Sequence, residues 1–192
     1  MPRPRLARTA GAIAPALALA LATAGAGAQE PGRPPVAPPA SADRAVPAAC
    51  TAFAWPLLRE LAWFEAPGLP RKASGDTLPA EMPAAVLALK PTGEVAYPVP
   101  PSRPPAADSY GGILMLEAPP SAGIYQVTLS DEAWLDVSQD GRSGLSPVSH
   151  TGKRDCPGLR KSLRFQLGSG RVVIAISGAK SDSIRVAVAP AE

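Results

Sequence analysis

The chain has 192 residues, among them 25 Pro, 17 Gly, two Cys and one His. This length suits one domain with short appendages, and the composition excludes collagen and a dense disulfide scaffold. The formal charge of +3 comes from three arginines among residues 1–28, which contain no Asp or Glu. The rest of the chain holds 16 basic and 16 acidic residues, a balance that gives no basis for nucleic-acid binding.

Residues 1–28 have the pattern of a secretory signal peptide. A basic start at residues 1–8 precedes an apolar run at 10–24, and residues 26–28 read Ala-Gly-Ala, an A-x-A cleavage pattern. The run is shorter than the roughly 20 residues that a membrane span needs. No later stretch is apolar enough, so we expect no transmembrane segment after cleavage. The sequence therefore predicts a periplasmic or secreted protein.

Two further segments precede the region of regular alternation. Residues 29–49 are rich in Pro and Ala and nearly lack large apolar side chains, so burial there cannot offset the entropy of ordering. We expect this segment to be a disordered tail. Residues 54–65 predict a short helix, because apolar side chains recur on one face. That face comprises Leu57, Leu58, Leu61 and Phe64.

Alternating apolar and polar residues dominate the chain from residue 110 onward. The runs are short and are separated by Asp, Gly and Ser, and a further apolar run covers 82–89. This pattern predicts seven or eight strands. Helices and strands do not alternate along the chain, so the sequence does not indicate a parallel sheet. We expect an all-β, antiparallel, jelly-roll-like β-sandwich in a single domain over residues 50–192. The Pro-rich stretch 91–105 is expected to form an irregular excursion or an edge.

The two cysteines, Cys50 and Cys156, most simply form one disulfide in an exported chain. Such a bond closes a loop of about a hundred residues, and the chain-entropy model assigns it roughly 4–5 kcal/mol of stabilisation. It would hold the tail and the predicted helix against the sandwich. The alternative is a reactive thiol, which the position of His150, shortly before Cys156, would favour.

The densest group of basic side chains lies between residues 150 and 164, where five residues are Lys or Arg and one is acidic. A loop with this charge can bind an anion such as a sugar acid, a phosphate or a lipid A head group. The alternative is a solvated loop beside a strand edge, where charges discourage edge-to-edge pairing. The anion-binding candidates are Lys153, Arg154, Arg160 and Lys161.

His150 is the candidate for a catalytic group, and Asp155 or Asp136 would orient it as a general base. The chain contains no G-x-S-x-G motif, which marks the nucleophile of many hydrolases. The neighbours Ser149 and Thr151 predict a loop, where a His needs no chemical role. We therefore expect a protein without catalytic residues, and a small enzyme that uses His150 is the alternative.

The residues argue against two kinds of metal site. A non-haem iron oxygenase of the cupin type needs two His and one carboxylate, and this chain has one His. Residues 136–141 begin like a calcium loop, but Pro147 stands where the bidentate Glu belongs. The Asp140-Gly141 pair is instead interpreted as a hairpin turn. We expect no metal and no cofactor.

Several motifs resemble those of an uncharacterised family of small exported proteobacterial proteins. They are FAWPL at 53–57, AGIYQVTLS at 122–130, AWLDV at 133–137, HTG at 150–152, DCPGLRKS at 155–162 and ISGA at 176–179. The likeness covers roughly residues 50–190. Some members carry a homogentisate 1,2-dioxygenase name, but the iron ligands are missing here.

More distantly, the G-x-Y-x-V-x-L pattern at 123–129 and the final strands resemble the bacterial pre-peptidase C-terminal β-sandwich, an accessory module linked to secretion or binding. The resemblance implies an accessory or binding role in the envelope. Its partner would be an anionic envelope component or another exported protein.

We predict that the mature protein begins at Gln29, give or take a few residues, because signal peptidase cleaves after small residues at the first and third positions upstream. Mass spectrometry of the periplasmic fraction from a Gram-negative expression host would identify this N-terminus. The double variant Ala26→Arg, Ala28→Arg should remain uncleaved. Full-length wild-type protein confined to the cytosol would contradict the prediction.

Overall fold

The structure is a computed structural model that describes residues 46–192. The predicted signal peptide and residues 29–45 of the predicted tail lie outside the described residues. The helices are α1 (Ala48–Thr51) and α2 (Leu58–Glu65), with a 3-10 helix at Thr92–Glu94. The strands are β1 (Arg71–Lys72), β2 (Thr77–Leu78), β3 (Ala84–Ala88), β4 (Lys90–Pro91), β5 (Tyr110–Leu116), β6 (Gly123–Leu129), β7 (Trp134–Ser138), β8 (Ser149–Gly152), β9 (Lys161–Leu167), β10 (Val172–Ala179) and β11 (Ser183–Pro190).

The strands form two sheets that share one core, which confirms the predicted β-sandwich. The six-stranded sheet has the order β1-β3-β11-β6-β9-β8; the five-stranded sheet runs β2-β5-β10-β7, with β4 pairing to β5. The longer strands pair antiparallel. The sheets are nevertheless mixed, because the two-residue strands β1 and β2 pair parallel with β3 and β5. Two-residue parallel pairings carry no alternation of their own, and so the sequence pattern does not reveal them.

Alternate side chains of both sheets fill the core. Val127 and Leu129 of β6 are fully buried, as are Ile174 and Ile176 of β10 in the facing sheet. Because successive side chains of a strand point to opposite faces, this burial leaves the intervening residues on the outer faces of the sandwich. Burial of each such side chain contributes about 1.5–3 kcal/mol.

Helix α2 covers part of the outer face of the six-stranded sheet. Phe64 packs against alanines of β3 and β11. Glu60 is only 1% exposed, and its carboxylate accepts hydrogen bonds from Arg59 (2.7 Å) and from Nε2 of Gln126 (2.8 Å). These partners offset the cost of burying the charge.

The helix begins at Leu58 rather than at the predicted residue 54. Residues 54–57 contact the sheet domain before the helix begins: the N–H of Ala54 donates to Oγ1 of Thr151 (3.0 Å), and Leu57 is buried. Leu58 was predicted on the apolar face, but it is 46% exposed. Side chains 57, 61 and 64 therefore make the buried face.

The Pro-rich stretch crosses the outer face of the five-stranded sheet as an irregular excursion. Tyr97 donates its hydroxyl hydrogen to the carbonyl of Ile176 on β10 (3.0 Å). This approach requires Gly111 on the neighbouring strand, because a Cβ there would lie 1.9 Å from the Tyr97 hydroxyl. Burial, aided by the negative charge of Asp136, raises the pKa of Tyr97.

Cys50 and Cys156 form the predicted disulfide, with their Cα atoms 4.8 Å apart. The bond lies in a small apolar cluster with Phe53, Leu57, Leu61 and Leu159. It joins α1 to the loop that precedes β9. The reactive-thiol alternative is wrong for this state, because both sulfur atoms are bonded.

We predict that Cys50→Ala lowers the free energy of unfolding by roughly 4 kcal/mol, because the bond closes a loop between positions 106 residues apart. Urea denaturation monitored by fluorescence would measure the loss. The double variant Cys50→Ala, Cys156→Ala should lose about the same amount. Equal stability of oxidised wild type and both variants would sink this account of the bond.

Candidate functional site

A lateral cleft of about 800 Å³ lies between strands β7 and β8. Its volume falls within the range of roughly 300–1,000 Å³ that small-molecule sites occupy. We call it the lateral cleft and define it by its lining residues. These are Ser102, Trp134, Leu135, Asp136, Gly144, Leu145, Ser146, Pro147, His150, Thr151, Gly152, Arg160, Lys161 and Leu163.

The cleft opens along the edges of the two sheets. Strand β7 is the last strand of the five-stranded sheet, and β8 is the last strand of the six-stranded sheet. Three consecutive residues of each strand line the cleft, at 134–136 and 150–152. Consecutive side chains of a strand point to opposite faces, so three consecutive residues can line one cleft only if the cleft runs along the edge of the strand. The chain passes from one sheet to the other here, through residues 139–148.

Arg160 and Lys161 place positive charge on one wall of the cleft. Arg160 forms an ion pair with Glu132 and donates from Nη1 to the Lys153 carbonyl (3.1 Å). Lys161 donates from Nζ to the carbonyl of Ala133, just before β7. Burial lowers the pKa of Lys161, and the charge of Arg160 acts in the same direction, whereas Glu132 and Asp136 oppose the shift. Lys161 is thus a cation with incomplete solvation.

Trp134 presents an aromatic surface with a defined orientation. Its Nε1–H donates to Oγ of Ser102 (2.6 Å), and Ser102 donates from Oγ and from its backbone N–H (3.2 Å) to the carboxylate of Asp136. Trp134 is 40% exposed. Arg103 and Lys161 lie over the ring, at 5.5 and 5.6 Å from its centroid. These contacts hold the ring in place without covering it completely.

His150 lies in strand β8, which corrects the prediction of a loop. It pairs with Leu163, which in turn pairs with core residue Val127, so its side chain lies on the inner face of the sheet. The core does not extend as far as His150, so this residue is exposed and lines the cleft. The loop prediction failed because β8 has four residues and only Thr151 of these is buried.

The predicted catalytic pair does not form in the structure. Asp136 lines the same cleft as His150, but its carboxylate accepts both hydrogen bonds from Ser102. Within residues 46–192, the imidazole makes no hydrogen bond that would orient it. Asp155 is exposed and does not line the cleft.

The structure divides the predicted anion-binding group into two pairs. Arg160 and Lys161 line the cleft, whereas Lys153 and Arg154 do not. Sequence reasoning missed Trp134 and Ser102 as site residues. The alternation at 133–137 does place Trp134 opposite the buried Leu135, which was the available signal. The sequence around Ser102 contains no comparable signal, because Ser102 reaches the cleft from the irregular Pro-rich excursion.

The segment that begins like a calcium loop uses its carboxylates elsewhere. Asp140 accepts hydrogen bonds from the backbone N–H groups of Ser143 and Arg142 (2.8 Å each), which hold its pKa far below the usual range. The interpretation of Asp140-Gly141 as a hairpin turn is wrong, because β7 and β8 belong to different sheets. In the described part of the chain, no three metal-ligating side chains cluster.

The fold and the cleft define a class: a disulfide-bonded β-sandwich with a cationic, aromatic cleft at its open edge. No protein-family model matches the chain, and no curated protein matches it. Among residues 46–192, every helix is too short or too polar to cross a membrane.

Proposed function

We propose that this chain is an exported accessory module that binds an anionic component of the cell envelope in the lateral cleft. The observation that carries the proposal is the convergence of Arg160, Lys161 and Trp134 on one cleft. Cationic side chains bind carboxylate or phosphate oxygens through charge-assisted hydrogen bonds, and a fixed indole supplies a flat apolar surface. The cleft requires no catalytic residue for this role.

The electrostatics of Lys161 support an anionic ligand. Its ammonium group is partly desolvated, as the lowered pKa indicates. A buried charge is costly unless it is paired. Among residues 46–192 Lys161 forms no ion pair, and the charges of Glu132 and Asp136 only partly offset its desolvation. An anion in the cleft would pair with Lys161 and favour its charged form.

The disulfide supports export, since such bonds persist mainly in oxidising compartments. The sequence pattern of residues 1–28 points the same way, and together these features favour the periplasm or the cell exterior. An envelope ligand such as an acidic polysaccharide or a lipid A head group would meet the protein there. Both ligands present oxygens of the kind that Arg and Lys bind.

We predict that the double variant Arg160→Gln, Lys161→Gln binds polygalacturonate at least about tenfold more weakly than wild type, because two charge-assisted contacts are lost. Gln retains much of each side chain's apolar stem. Isothermal titration calorimetry at two salt concentrations would measure the affinities. Added salt should weaken binding by the wild type.

The matched control is Lys153→Gln, Arg154→Gln, which removes the same net charge outside the cleft. We expect its affinity to stay within about twofold of wild type. Phosphorylated glucosamine should be tested in parallel, since it carries the phosphate chemistry of a lipid A head group. An equal loss in both double variants would show a general charge effect, and no binding of either probe would refute the proposal.

A small enzyme using His150 is the alternative, because His150 and Asp136 line the same cleft. On the binding proposal, His150→Ala changes the free energy of unfolding by no more than about 1–2 kcal/mol and abolishes no activity. A screen of hydrolase and oxygenase substrates on both proteins would check this. Turnover by wild type that disappears in the variant would establish the enzyme instead.

A further inference from the structure

The two strands that border the lateral cleft are the edge strands of their sheets. In an antiparallel pair, alternate residues direct their N–H and C=O groups toward the partner strand, and the residues between direct theirs away. Strand β8 pairs with β9 alone, and β7 pairs with β10 alone. Half of the backbone groups in each strand therefore point away from their own sheet.

The backbone hydrogen bonds identify the outward-directed residues of β8. The N–H of Lys153 donates to the carbonyl of Arg160 (2.9 Å), which continues the register that pairs Thr151 with Ser162. Residues 149, 151 and 153 thus bond to β9. His150 and Gly152 direct their N–H and C=O groups into the cleft, and within residues 46–192 no group bonds to them.

Strand β7 shows the same alternation on the other side of the cleft. The carbonyl of Val137 accepts from the N–H of Leu145 (2.7 Å), and that of Ala133 accepts from Lys161. Both groups point away from β10. Leu135 is the alternate residue between Ala133 and Val137, so its N–H and C=O also point away from β10 and face the cleft. The carbonyls on either side of Leu135 are thus already bonded, whereas β8 presents an exposed edge of the kind that templates another strand.

We propose that the cleft binds an acidic peptide segment of another exported protein in extended conformation, as an added strand along β8. This inference rests on the proposed function and names the partner of that same cleft. His150 and Gly152 would supply backbone hydrogen bonds, as in known modes of strand addition. Such bonds recognise a peptide backbone, which a polysaccharide or a lipid head group does not possess.

The side chains around the edge define the composition of the peptide. Leu135, Leu145 and Leu163 line the cleft with apolar surface, while Arg160 and Lys161 supply positive charge. An extended peptide places alternate side chains on opposite faces. A peptide of alternating Asp and Val residues offers both carboxylates for Arg160 and Lys161 and apolar side chains for the leucines.

The experiment uses the disulfide-bonded protein and a capped eight-residue peptide of alternating Asp and Val. Calorimetry should detect binding. N-methylation at alternate residues removes the N–H groups along one side of the extended peptide, and the peptide in which this side faces β8 should bind at least tenfold more weakly. Amide hydrogen exchange should slow at His150 and Gly152 when the peptide binds. It should change little at Thr151, whose N–H already bonds to β9.

His150→Pro removes one outward N–H group, and proline is tolerated at such edge positions. We expect the peptide to bind this variant at least tenfold more weakly, with a smaller loss for His150→Ala, which keeps the N–H. Should His150→Pro fail to fold, the N-methylated peptides and the amide exchange still decide. Unchanged affinity for His150→Pro and for both N-methylated peptides would overturn strand addition.

Polygalacturonate separates this inference from the proposed function. If polygalacturonate binds and the peptide does not, the cleft is an anion site and the inference fails alone. If the peptide binds without protecting His150 and Gly152, anionic binding stands and strand addition fails. If neither the peptide, polygalacturonate nor phosphorylated glucosamine binds, both proposals fail.

Discussion

Burial of alternate side chains from two sheets in one core is the interaction on which the rest of this structure depends. It directs Leu135 and Val137 of β7, and Val127 of β6, toward the same interior. The strand register that buries these side chains also decides which backbone groups face a neighbouring strand and which do not. The open edge at the lateral cleft is thus a consequence of core packing, since the chain crosses between sheets there without pairing β7 to β8.

The cleft is assembled from parts that are far apart in the sequence. Ser102 arrives on the Pro-rich excursion over one sheet, and its hydrogen bonds orient Trp134 and Asp136. Arg160 and Lys161 arrive at the start of β9, next to the loop that the disulfide ties to α1. The segments that cover the outer faces therefore also shape the binding surface. The hydrogen bonds of Ser102 and the disulfide both stabilise the fold and position the residues of the cleft.

The longer strands could be predicted from the sequence because alternation over five or more residues is a local signal, and the disulfide could be predicted because the chain has only two cysteines to pair. Strand β8 could not, since four residues with only Thr151 buried leave no clear period. The division of the basic group, with Arg160 inside the cleft and Arg154 outside, depends on where β9 begins. The contact of Ser102 with Asp136 joins positions 34 residues apart and has no local signal.

The disulfide also determines how the folded chain would respond to mechanical force. Tension applied between Cys50 and Glu192 passes through the covalent bond to Cys156 and bypasses every strand from β1 to β8. Only the 36 residues after Cys156 can be drawn out, a contour of about 120–130 Å. Strands β9, β10 and β11 would detach under such a pull, while β1 to β8 remain within a closed covalent loop that carries no tension. If the domain were attached at both ends, the bond would limit its extension to a quarter of the length of the domain's extended chain.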